Sequence, residues 1–166
     1  MVITTDIPYM QDRLNTKRMR ELNNTPRSEY NCGGYALDTF SWYHPFSRKD
    51  RTLDNVIEIF GEDYDKVLDY TVNYMLKDFK GKLRVIENLN ELLSNEEAVA
   101  YRIEMCEVGA DFHYVRRKRN GSWYGKLGGC PTIHRYTEEQ VFDCESDAWG
   151  NGRYDSEMIL FALIVK

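Results

Sequence analysis

Hydrophobic and polar positions change their rhythm about halfway along the chain. Residues 9–23, YMQDRLNTKRMRELN, place Met10, Leu14, Met19 and Leu22 at roughly helical spacing. Thr25-Pro26 ends that segment, because proline disfavours the α region in the residue before it. Residues 32–43, CGGYALDTFSWY, put Tyr35, Ala36, Thr39, Phe40 and Tyr43 on one side and predict a second helix, closed by Pro45. Residues 45–60 are mixed, with Val56, Ile57 and Ile59 marking a short buried turn or strand. The clearest helix runs from Gly61 to Phe79: Tyr64, Val67, Leu68, Val72, Met75, Leu76 and Phe79 recur at intervals of three and four. Acids fill its first turn and Gly81 supplies its C-terminal cap.

From Leu83 onward the period is two. Leu83–Ile86 reads as a short strand and Leu89–Asn95 as a helical turn. Glu97–Glu107 and Asp111–Arg119 alternate, Asn120-Gly121 predicts a type I′ hairpin turn, and Ser122–Leu127 returns along it. Thr137–Phe142 predicts a short helix, and the continuous apolar run Met158–Val165 a buried final strand. Helices followed by an antiparallel sheet make an α+β fold. The expected organisation is one domain over 1–166, with an N-terminal helical segment (1–30), a helical half (31–80) and a sheet half (81–166).

Composition narrows the function classes. A chain of 166 residues, 42% hydrophobic and 30% charged, can bury a core and is not disordered. Its 27 acids against 22 bases, net −5, argue against a role coating nucleic acid. No stretch approaches eighteen apolar residues, and the opening MVITTDIPYMQDR has an acid at position 6 and no apolar run. The expectation is therefore a cytoplasmic protein without a membrane span or signal peptide, exported, if at all, by lysis or a toxin apparatus. Four cysteines, Cys32, Cys106, Cys130 and Cys144, are too few for a disulfide scaffold and read first as free thiols, then as catalytic or metal candidates.

Cys32 stands at the start of the second predicted helix, behind Asn31 and before Gly33-Gly34. Unpaired N–H groups and the positive dipole end there favour thiolate, and the same groups can hold an oxyanion, with Cys32 N–H and the Asn31 side chain as donors. Gly33 and Gly34 would let a substrate backbone approach, with Trp123 nearby on the hairpin. A thiolate nucleophile needs a base, and the three histidines rank His113, then His134, then His44, because His113 lies mid-strand where its ring can be held in one rotamer.

On these residues the chain resembles the papain-like cysteine hydrolases. Asn31-Cys32-x-x-Tyr35-Ala36-Leu37 looks like their nucleophile motif. Asp111-Phe112-His113-Tyr114-x-Arg116, then Asn120-Gly121-x-Trp123, then Lys126-x-Gly128-Gly129-x-Pro131, is similar to the histidine hairpin of a small bacterial and phage branch related to NlpC-type cell-wall amidases. The likeness spans about residues 31–132 plus the final strand. It implies a papain-like fold, a nucleophile helix packed on an antiparallel sheet, and a hydrolase (peptidase or amidase) acting on a peptide, a protein or a peptidoglycan stem peptide without cofactor or metal. In such relatives a polar residue twelve positions after the base orients its ring; here that position is Gly125. Asp111, Tyr124 and Lys126 are the nearby candidates for a third member.

Other readings compete. The run Arg116-Arg117-Lys118-Arg119 reads as a solvated hairpin edge. Cys106, His113, Cys130 and His134 could hold zinc by type, but no close C-x-x-C pair supports it. Walker, G-x-G-x-x-G, H-E-x-x-H and G-x-S-x-G motifs are absent. The rival to the hydrolase is a binding protein on the same fold that has lost turnover, such as a phage or mobile-element factor engaging a host protein, and Gly125 is the feature that favours it.

Overall fold

The three-and-four spacing after Gly61 becomes a helix in the computed structural model, which describes residues 24–45, 60–106, 109–128 and 130–165. The expected helix over 9–23 and the segment holding Val56, Ile57 and Ile59 lie outside these residues. Helix α2, Tyr64–Asp78, starts where the Asp63 carboxylate accepts from the backbone N–H groups of Asp65 and Lys66. Its apolar stripe, Val67, Leu68 and Met75, is buried. Helix α1 is shorter than its apolar spacing implies: Cys32–Ala36, not 32–43. The amides of Thr39 and Phe40 both fold back onto the Gly34 carbonyl, and Asp38 and Phe40 take positive φ, so the chain turns away after little more than one turn.

Six strands follow: β1 (Leu83–Ile86), β2 (Glu96–Cys106), β3 (Gly109–Arg117), β4 (Trp123–Lys126), β5 (Ile133–Tyr136) and β6 (Ile159–Ile164). They form one sheet in the order β1-β6-β2-β3-β4-β5, with every neighbouring pair antiparallel. With the helices this is a mixed α+β fold. The run at β6 is continuously apolar because that strand is covered on both faces: Phe161 and Leu163 join the core under α2, and Leu160 and Ala162 join the opposite core. The second core is closed by α3 (Glu138–Phe142), the 3-10 turn Asp147–Trp149 and Tyr154. Thr137 and Gln140 cap α3 reciprocally.

Three local expectations are corrected. The β3–β4 connection is a three-residue loop, not a two-residue type I′ turn: Lys118 pairs with Ser122, Gly121 N–H donates to the Lys118 carbonyl, and Gly121 has φ +90 while Asn120 stays out of the left-handed region. Strand β5 was not anticipated; Ile-His-Arg-Tyr is four residues with only two buried positions, too short to show a period. The basic run is not a solvated edge. Arg116 and Lys118 point inward and are buried, because the strand period of two turns alternate residues toward the acids Glu97 and Asp38.

Candidate functional site

Asn31 caps α1 and clamps its approach. Its Oδ1 accepts from Gly34 N–H (2.9 Å) and Tyr43 N–H (3.0 Å), and its Nδ2 donates to the Tyr43 carbonyl (2.7 Å). The side chain is thus tied to the chain's own backbone, whereas the N–H of Cys32, as that of the first helical residue, has no carbonyl within the helix to bond. Gly33 and Gly34 serve the protein's own packing rather than a substrate. A β-carbon at Gly34 would stand 2.0 Å from the Ser41 carbonyl oxygen, and one at Gly33 would press on Tyr114 and Tyr43 at 3.2 Å.

Only two register pairs, Arg116↔Tyr124 and Arg117↔Trp123, join β3 to β4. The N-terminal part of β3 therefore presents an open edge, and Cys32 lies against it. Backbone N–H groups of Tyr114 and Gly33 are directed at the sulfur and favour the thiolate, as does the Lys126 ammonium. Burial outweighs them: Cys32 is 4% exposed and its thiol is pushed up to about 12. The expectation of a depressed thiol is overturned, because a five-residue helix and two N–H groups do not offset the loss of water around the charge.

His113 sits on the other face of β3. Its ring stacks on Tyr154 (centroids 5.3 Å, 27°) and meets Trp149 edge-on (5.8 Å). Burial holds this imidazole down to about 4, against a smaller upward pull from Asp111 and a downward one from Arg153. Among the described residues no protein group bonds its Nε2, which lies 3.7 Å from the point where a β-carbon would stand at Gly125. The ring is therefore fixed by packing, not by a hydrogen-bonded third residue. Asp111 accepts from Arg153 (3.0 Å), from the Tyr154 hydroxyl (3.0 Å) and from Phe112 N–H (2.8 Å), so it reaches His113 through Tyr154 and through charge alone.

The other candidates are dispersed. Tyr124 packs with Tyr30, Tyr35 and Phe40 on the α1 face of β4, away from His113. Lys126 is on that same face. Its Nζ donates to the carbonyls of Tyr30 and Gly128, its pKa is drawn down to about 8 by burial, and its charge favours ionised Cys32. It neighbours the sulfur, not the imidazole. Trp123 is fully buried in the second core and cannot meet a substrate. Cys130 is exposed, and bonds from Thr132 lower its thiol pKa.

A cleft of about 670 Å³ brings the two leading candidates together: Cys32 and His113 both line it, with Asn31, Asp111, His44 and His134. Trp42 also lines it, and sequence reasoning missed its other walls Leu127, Tyr136, Arg153 and Tyr154. Gly150, Asn151 and Gly152, all at positive φ, turn the chain just ahead of Tyr154, which stacks on His113; no pattern local to these residues announces that contact. Among the described residues no group of three or more His, Cys, Asp or Glu is placed to hold a metal ion. Nor is any described helix long and apolar enough to cross a membrane.

Burial of His113 carries a consequence for stability. The unfolded chain takes up this proton near 6.5, the folded one only near 4. As pH falls through that window the unfolded state binds more protons, so stability drops, by about 3 kcal/mol between pH 7 and pH 4. Urea unfolding at both values is expected to show this loss in the wild type and its absence in His113→Gln; equal losses in the two would show that the ring is not held neutral.

Comparison with known proteins finds no matching family model, no matching curated protein and no matching solved structure.

Proposed function

We propose that the protein is a cysteine hydrolase of papain-like type, which cleaves an amide or isopeptide bond through a thioester on Cys32 with His113 as base. The observation that supports this most is convergence: a cysteine from one face of the sheet and a packed imidazole from the other line one cleft, although they are far apart in sequence. A short nucleophile helix against an antiparallel sheet whose neighbouring strand carries the histidine suits a papain-like arrangement. In the first step the Cys32 thiol gives its proton to His113 as the sulfur bonds the carbonyl carbon. The oxyanion is held by the Cys32 N–H, the C–N bond breaks, and His113 returns the proton to the leaving amine. Water then adds to the thioester, releasing the acid and the free thiol. A peptide, a peptidoglycan stem peptide or an acyl conjugate could supply the bond.

The test is a peptide-based trap, since plain iodoacetamide is expected to strike exposed Cys130 first. A tripeptide acyloxymethyl ketone at pH 7 should modify Cys32, mapped by mass spectrometry, and Cys32→Ala should lose that adduct while keeping any on Cys130. Modification confined to Cys130 overturns the assignment.

A binding protein that has lost turnover is the second reading. It is favoured by Gly125, which leaves His113 Nε2 without a protein partner, and by the high pKa of the Cys32 thiol. That reading expects no adduct on Cys32 with any substrate-like trap at neutral pH.

A further inference from the structure

Few large apolar side chains among the described residues are exposed, and two of them, Trp42 (52%) and Leu127 (45%), lie on the wall of this one cleft. Both are anchored to the residues that lead into the nucleophile. The Trp42 indole N–H donates to His44 Nε2 (3.0 Å), and the next residue, Tyr43, is bonded through both its N–H and its carbonyl to the Asn31 side chain. Leu127 is flanked by Lys126 and Gly128, and Lys126 Nζ bridges the carbonyls of Gly128 and Tyr30. An exposed indole and an exposed isobutyl group thus line the same cleft as Cys32, where burying either against an apolar group is favourable. The charged groups on the same wall already have partners: Arg153 pairs with Asp111, and Asp147 accepts from Gln140 (3.1 Å).

We infer that the substrate presents a bulky apolar side chain on the acyl side of the scissile bond, which lies against Trp42 and Leu127. This rests on the hydrolase reading and gives it a substrate class: a peptide or acyl conjugate with an aromatic or branched aliphatic group next to the cleaved bond. Covering a side chain of that size is worth about 10- to 100-fold in rate over alanine.

The experiment uses acetyl-dipeptide acyloxymethyl ketones on the full chain, differing only in the residue next to the warhead: Phe, Leu, Ala, Glu or Lys. Each alkylates by attack of sulfur on the methylene carbon, forming a thioether and expelling the carboxylate, while the thiol proton is lost. Cys32 adduct formation is followed by intact mass, with Cys32→Ala subtracting reaction at other thiols. Phe and Leu should react with Cys32 about 10- to 100-fold faster than Ala, with Glu and Lys slowest. Trp42→Ala and Leu127→Ala, both changes at exposed positions, should each reduce the Phe-to-Ala ratio by at least about fivefold. Equal rates across the set, a preference for Glu or Lys, or a ratio unmoved in both variants overturns the apolar subsite and leaves the hydrolase standing. Absence of any Cys32 adduct overturns both.

Discussion

Arg116→Leu should destabilise the protein by about 3–5 kcal/mol, the range for stripping one partner from a buried ion pair. Arg116 is fully buried. Its Nε and Nη2 donate to Glu97 Oε1 at 3.0 and 2.7 Å, its Nη1 donates to the Ala36 carbonyl at 2.7 Å, and Asp38 lies 3.3 Å away. Leucine would strip the guanidinium from the buried Glu97 carboxylate, which Lys118 also approaches at 3.5 Å, and would take the Arg116 donor from the last carbonyl of the helix that carries Cys32. Urea unfolding at pH 7 measures the loss. The double variant Arg116→Leu, Glu97→Leu should recover only part of it, since it removes the stranded carboxylate but also takes an acidic partner from buried Lys118. A single variant within about 1 kcal/mol of wild type would show that the guanidinium carries no such weight.

That residue also shows where sequence reading reached its limit. Periodicity found the body of α2, the β2–β3 pairing segments and the final strand, because each repeats one kind of side chain over several turns or pleats; the cap expected at Gly81 is instead Phe79, whose N–H bonds the Met75 carbonyl. It misjudged Arg116 because four basic residues in a row look solvated until their acids, Glu97 from the preceding strand and Asp38 from the turn after α1, are known to sit beneath them. The premature end of α1 depends on positive φ at Asp38 and Phe40, which a phenylalanine does not announce and an aspartate announces only weakly. Gly33-Gly34 did signal a close approach. The approaching backbone is the protein's own, at Ser41 and Tyr43, and no local pattern distinguishes that from a substrate. At the site, Cys32 and His113 stood out as candidates by residue type and position, and both line one cleft. What lay out of reach was the degree of burial, since it depends on Tyr154 and Trp149, contributed by loops far downstream. Burial is also what reverses the expected charge state of the nucleophile.

That reversal sets the expected pH profile of Cys32 alkylation by the tripeptide acyloxymethyl ketone. With the thiol near 12 and the imidazole near 4, both groups are neutral from about pH 5 to pH 9, so the resting pair is thiol and imidazole rather than thiolate and imidazolium. The rate in the wild type should be level across that range and fall below about 4, where His113 takes a proton and can no longer accept one from sulfur. His113→Ala should lower the neutral rate by about 10²- to 10⁴-fold, the usual contribution of a general base. It should also replace the plateau with a climb of about tenfold per pH unit toward the thiol's own ionisation, because only the spontaneously formed thiolate then reacts. A pre-formed ion pair would behave differently. Its wild-type rate would fall on the alkaline side as the imidazolium lost its proton, well below the thiol pKa. A wild-type rate that already climbs tenfold per unit from pH 6, unchanged in His113→Ala, would mean that the imidazole takes no part, and Cys32 would then be a buried thiol in a binding cleft.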